Sequence, residues 1–259
     1  MHAPQPDPSD LADLAADILA RLRAKNPRVH CITNAVAQNF TANVLLAVGA
    51  VPSMTVAPDE IGEFAARTDA LLVNLGTLDR ERRQASEIAI QSATDAGRPW
   101  LDPVFVERSQ SRALFAKALV ACRPKVVRLN GAEFTALADA VPAADALERY
   151  AREQRAVVAL TGITDVVADG TRTAKIENGD ALMGRVTAMG CAGAALASAA
   201  LAVEADAWRA TAAALLAFAV AGECAAARAR GPGSFAMEFI DALASLDRAT
   251  LRQRARIGR

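Results

Sequence analysis

Three short runs in the middle of the chain, ALLVN (Ala70 to Asn74), VVRLN (Val126 to Asn130) and VVALT (Val157 to Thr161), are mostly apolar, with their polar residues at or near the carboxyl end. A strand with one solvated face alternates apolar and polar residues. A strand apolar throughout has to be covered on both sides, as in parallel sheets packed between helices. The segments RVHCIT and WLDPV are two further short strands, and VPSMTV is strand-like. Between the runs lie stretches with apolar residues at three- and four-residue steps, so strand and helix alternate every ~25–35 residues over the first 165 or so. The expected fold is α/β, a mostly parallel central sheet with helices on both faces. TDVVADG and TRTAKIENG predict a hairpin, and the alanine-rich part from Cys191 onward predicts a mainly helical end. No repeat, linker or charge block divides the chain, so residues 1–259 read as one domain. Residues 1–9 form a loose Pro- and Asp-rich tail, and Ser9 caps the first helix.

Charge narrows the partners. The 29 basic and 29 acidic side chains cancel, which leaves no basic excess for nucleic acid or an anionic membrane surface. The apolar stretch Ala210 to Val220 falls short of a membrane span of ~18–20 residues and reads as a buried helix. The N-terminus lacks a basic region followed by an apolar one, and the four cysteines lack CxxC spacing, so free thiols in the cytoplasm are expected. There are two histidines, His2 and His30, which excludes a His-rich metal site.

In a parallel sheet, ligands bind beyond the carboxyl ends of the strands. The residues there are Thr33 and Asn34, Asn74 and Gly76, Asp102, Arg128 and Asn130 with Glu133 three residues on, and Thr161 with Gly162. Two carboxylates, a guanidinium, amides and a hydroxyl suit Mg²⁺ and a polyphosphate, because Mg²⁺ takes one or two carboxylates and fills its other positions with water and phosphate oxygens. Each residue also has a structural reading. Asp102 before Pro103 favours a turn, Glu133 sits in a helix first turn, and Asn74 can satisfy loop backbone. The stretch TAMGCAGAAL opens a helix on small residues, so its unpaired N–H groups and the helix dipole suit an anion and are expected to lower the pKa of Cys191. Alternatively Cys191 is a packing thiol. Neither GxxxxGK[ST] nor GxGxxG is present.

Taken together, VHCITNAVAQNFTANVLLAVGAVPSM, DALLVNLGTL, LDPV, VVRLNGAEF, VALTGITDVV, RVTAMGC and GPGSF resemble, in order, the hydroxyethylthiazole kinases of the ribokinase-like superfamily. The resemblance covers most of residues 29–240 and implies ATP-dependent phosphorylation of the primary alcohol of 4-methyl-5-(2-hydroxyethyl)thiazole in thiamine salvage. It implies that Met54, Asn34 and Ala188 face the substrate and that Arg128, Thr161, Asn130 and Gly190 face ATP. It further implies that Asp102 and Glu133 lie near Mg²⁺ and that Cys191 occupies the catalytic position, where the wider superfamily has Asp. The family is trimeric with sites between subunits, which would put His30, Thr33 and Asn34 close to a subunit boundary.

Three departures stand out. AMGC replaces GTGC, so that Ala188 stands for a glycine and Met189 for a threonine. HCITN replaces HNITN. Phe105 follows LDPV where the family usually has Gly. These leave two other readings open: a kinase for another small ring alcohol of pyrimidine or pyridoxal type, and a non-catalytic binding paralogue.

Overall fold

A computed structural model of the chain describes residues 8–93 and 99–258. The strands are β1 (Arg28–Ile32), β2 (Val51–Ser53), β3 (Ala70–Asn74), β4 (Pro99–Asp102), β5 (Val126–Asn130), β6 (Val157–Thr161), β7 (Asp165–Ala168), β8 (Thr173–Ile176) and β9 (Ile257–Gly258). They form one sheet in the order β2-β1-β3-β4-β5-β6-β7-β8-β9. From β2 to β6 every pairing is parallel, and from β6 to β9 every pairing is antiparallel.

All five residues of β3 are buried, as an unalternating apolar strand requires. Helices α1 (Pro8–Lys25), α2 (Gln38–Ala47), α8 (Met189–Leu201), α9 (Ala207–Ala226), α10 (Pro232–Ser245) and α11 (Arg248–Arg254) share one core with Val29, Cys31, Leu72 and Val126. Helices α3 (Ile61–Arg67), α4 (Arg80–Ala93), α5 (Gln110–Ala121), α6 (Gly131–Ala138) and α7 (Ala144–Gln154) share the other with Ile32, Val73, Leu101, Val127 and Leu129. Alternate residues of one strand thus go to opposite cores, the period-two geometry of a pleated strand.

The expected hairpin is present as β7 and β8. Of the expected tail, residues 1–7 lie outside the described residues. The helix begins at Pro8, so Ser9 stands inside its first turn and is not its cap. Helix α9 is 20 residues long, enough to cross a membrane by length and composition, but 78% of its apolar window is buried inside the protein. It is the central core helix, packed by Phe218 against Phe239 with ring centroids 4.7 Å apart. The sequence reading missed β9, a two-residue strand whose only support is its pairing with β8.

Candidate active site

Because β2, β1, β3, β4, β5 and β6 run parallel, their carboxyl ends share one edge. In spatial order the edge carries Met54, Thr33 and Asn34, Asn74, Asp102, Asn130 and Thr161. Pleating then selects the face. Val73, Leu101, Val127 and Leu129 enter the α3–α7 core, so Asn74, Asp102 and Arg128 face α8.

On that face a polar chain crosses the sheet. Asn34 Nδ2 and Asn74 Nδ2 both donate to Cys191 Sγ, at 3.1 and 3.3 Å. Asn74 Nδ2 also donates to Asp102 Oδ2 at 2.6 Å, and Arg128 donates to Asp102 Oδ1 at 3.2 Å. Asp102 is wholly buried and the Arg128 side chain is 16% exposed. Burial opposes the charge on Arg128, but Asp102, Glu133 and Asp165 around it hold it firmly protonated.

Two glycines make this chain possible. A Cβ on Gly76 would lie 2.8 Å from Asn34 Cβ and 3.0 Å from Asn74 Oδ1, so the two amides that hold Cys191 need a bare backbone there. A Cβ on Gly190 would lie 3.0 Å from a guanidinium nitrogen of Arg128, so Arg128 lies against the first turn of α8. Gly190, in the stretch TAMGCAGAAL expected to suit an anion, thus also gives Arg128 its room.

The expected lowering of the Cys191 pKa is not found. Burial, and then the charge of Asp102, push the thiol up to about 11, outweighing Arg128 and the two amide hydrogen bonds. A helix start stabilises a thiolate only where solvent or a net positive field supports it, and here the nearest carboxylate is wholly buried. Cys191 is therefore a neutral thiol at pH 7.

Two of the three departures from the family pattern fall on strained backbone. Ala188, the N-cap of α8, has φ 73°, and Phe105 has φ 59°. The left-handed region costs an L-residue roughly 1–2 kcal/mol and glycine almost nothing, which explains why glycine suits both positions.

A cavity of about 570 Å³ opens beside the polar chain. Its polar wall includes Arg128, Thr161 and Asp165, and its apolar wall includes Met183, Met189 and Phe218. Gly190 also lines it, whereas Met54, Asn34 and Ala188 lie outside it, on the β1–β2 side and at the start of α8. Asn130 is not among its lining residues. Its side chain accepts from the Glu133 N–H at 2.9 Å and caps α6. The sequence reading missed Asp165, Met183 and Phe218. Asp165 opens β7 and accepts the Gly162 N–H at 2.9 Å, and its place after TGIT was the one visible sign of it.

Asp102 and Glu133 were the expected metal ligands. Glu133 is 3% exposed and spends both carboxylate oxygens on backbone, accepting from Phe105 N–H at 3.0 Å and Asn130 N–H at 2.8 Å. Burial, and then the charge of Asp102, push its pKa up. Asp102, Glu133 and Asp165 thus set three carboxylates around one guanidinium, an excess of negative charge made of hard oxygen donors. That donor set fits Mg²⁺. Among the described residues no three His, Cys, Asp or Glu side chains form an all-protein metal cage.

A profile of the hydroxyethylthiazole kinase family matches residues 19–249. A hydroxyethylthiazole kinase of Rhizobium johnstonii is 48% identical over 256 residues, spanning 93% of this chain and 96% of that protein. A solved hydroxyethylthiazole kinase structure from Pyrococcus horikoshii is 35% identical and superposes with a TM-score of 0.90, over 95% of this chain and 98% of that one. A ribokinase-like superfamily protein of Enterococcus faecalis, at 13% identity, shares the fold with a TM-score of 0.67 over 88% and 93% of the two chains.

Proposed function

The chain belongs to the hydroxyethylthiazole kinase family, and from that premise we propose how its sheet edge phosphorylates the primary alcohol of 4-methyl-5-(2-hydroxyethyl)thiazole with ATP. The observation that carries the reading is the run Asn34–Cys191–Asn74–Asp102–Arg128, which joins the Met54 end of the edge to the cavity. The nucleotide lies in the cavity, its base against Met183 and Phe218 and its phosphates toward Arg128 and Thr161. The alcohol lies on the other side, between Met54, Asn34 and Ala188. Its hydroxyl meets Cys191, which has the amides of Asn34 and Asn74 fixed on its sulfur.

Phosphoryl transfer through a loose transition state needs position and charge stabilisation more than covalent help. Arg128, pinned between Asp102 and the backbone of Gly190, offers its cation without reorganising as charge moves onto the phosphoryl oxygens. The neutral thiol orients the alcohol; its oxygen bonds to the γ-phosphorus as the bond to the ADP oxygen breaks, and the hydroxyl proton leaves late, to solvent. Asp102 and Glu133 would hold Mg²⁺, which supplies charge neutralisation to the phosphates. The reading as a non-catalytic paralogue is set aside, because the relatives are kinases and Asp102, Glu133, Arg128 and Cys191 are all retained.

A coupled ADP-release assay with a panel of ring alcohols tests the reading. The hydroxyethyl thiazole is expected to give the highest kcat/KM. Met189 lines the cavity in place of a threonine, which keeps the second reading in the panel. A pyridoxal- or pyrimidine-type alcohol turned over faster would replace the first reading with it.

Residues 1–259 act as one kinase domain in this reading, and the four free thiols suit the cytoplasm. Val36, Leu46, Val51 and Phe64 expose apolar surface, which supports a subunit interface; a homotrimer whose neighbouring subunits complete the alcohol site follows from the family resemblance. Light scattering is expected to give three chains per particle. A monomer with full activity would refute the assembly.

A further inference from the structure

His30 has no part in the chemistry above, yet it is completely buried and fully hydrogen-bonded. It lies in β1 opposite Ser53, the last residue of β2. Its Nδ1 is 2.8 Å from Ser53 Oγ, and its Nε2 is 3.1 Å from the Thr55 carbonyl oxygen. A carbonyl can only accept, so the proton sits on Nε2, and Nδ1 accepts from the Ser53 hydroxyl. The ring also packs on Phe64 of α3, with centroids 5.6 Å apart. The two residues held by this imidazole, Ser53 and Thr55, flank Met54.

We propose that His30 is a positioning residue that fixes Met54 against the alcohol by clamping the residues on either side of it. The inference rests on the reading that Met54 faces the alcohol. Register and pleating support it. The β2 ladder reaches its last partner at Ser53, so the backbone beyond it needs another anchor. Met54 packs toward the α8 core, whereas His30 and its partner Phe64 lie on the α3 side. The clamp thus grips the strand end from behind and leaves the front to Met54. Thr55 Oγ1 is tied in turn to Glu60 and to the Ala57 N–H, which extends the anchor into the turn before α3. Burial pushes the imidazole pKa down to about 4, so the neutral form with its single Nε2 proton persists through the physiological range.

Steady-state kinetics on the full-length enzyme decide the matter. His30→Phe keeps a ring against Phe64 and removes both hydrogen bonds. It is expected to raise the alcohol KM about tenfold while the ATP KM moves less than about twofold. His30→Gln offers an amide N–H to Thr55 and a carbonyl to Ser53, and is expected to recover most of the loss. Ser53→Ala removes one of the two bonds and is expected to raise the alcohol KM about threefold. If the Phe variant fails to fold, the Gln and Ala variants carry the same comparison. Unchanged alcohol KM, or equal rises in both KM values, would mean that His30 is only a core residue. Met54→Ala is the control. If it raises the alcohol KM and the His30 and Ser53 variants do not, the clamp alone is overturned. If it leaves the alcohol KM unchanged, the placement of the alcohol fails and the clamp with it.

Discussion

Asp102→Asn is expected to lower kcat by about 10²–10³ and also to destabilise the fold. The kinetic loss follows from Arg128. Its guanidinium is aimed by Asp102 Oδ1 at 3.2 Å, and losing one preorganised charge-stabilising group costs on that order. The loss of stability follows from burial. Asp102 is 0% exposed, and asparagine leaves the guanidinium inside the protein with its nearest counter-charge removed. Breaking a buried pair by removing one partner costs roughly 3–5 kcal/mol. At about 2–4 °C per kcal/mol for a chain of this size, Tm should fall by about 10 °C. Magnesium titration separates the two effects, because a lost metal ligand raises the Mg²⁺ requirement while lost stability alone does not. Glu133→Gln should be milder in stability, about 1 kcal/mol, because one oxygen still accepts a backbone N–H at the start of α6. Wild-type turnover with an unaltered magnesium dependence in both variants would remove these residues from the metal and phosphate site.

Cys191 carries the second large effect. Its thiol is held near 11, so it is no base at pH 7, and wild-type kcat should show no thiol inflection below about pH 10. Cys191→Ala removes the atom that receives the Asn34 and Asn74 amides. It should leave the KM values within about twofold and lower kcat by about tenfold, the cost of one lost orienting hydrogen-bond partner. Cys191→Ser offers a hydroxyl with a still higher pKa and should resemble Ala. Cys191→Asp places a carboxylate where two amide donors already converge, and an ionised carboxylate accepts a proton that a neutral thiol does not. Its kcat is expected to equal or exceed wild type. The charge of Asp102 should push the new carboxyl upward, giving kcat an acid limb that the wild type lacks. The opposite pair of results would make Cys191 a packing residue: full kcat in the Ala variant, and an Asp variant that does not fold because its carboxylate is buried without relief.

How much of this was legible in the sequence depends on the kind of information each feature needs. Strand type is local. VVALT and ALLVN are apolar at consecutive positions, as strands covered on both faces require, and strands alternate with helical stretches along the chain, so the α/β architecture and the sheet edge were readable. Motif order was equally readable, and it led to the family and to the residues Asp102, Arg128, Glu133, Thr161 and Cys191. Whether a residue is satisfied or free is decided by neighbours distant in the chain. Glu133 reads as a carboxylate near the metal, and only the fold shows that each of its oxygens also accepts a backbone N–H, from Phe105 and from Asn130. Cys191 read as an activated thiol because the helix start is visible in sequence. Its burial, and then the charge of Asp102 89 residues earlier, raise its pKa, and both arise only when the chain folds. Asp165, Met183 and Phe218 meet in one cavity from a strand, a 3-10 helix and an α-helix, and no spacing encodes that meeting. The sequence by itself determined the covalent order of chemistry along the strands. Only the tertiary structure decided which of those groups face one another and are stripped of water, because desolvation and hydrogen-bond partnership depend on position in space and not along the chain.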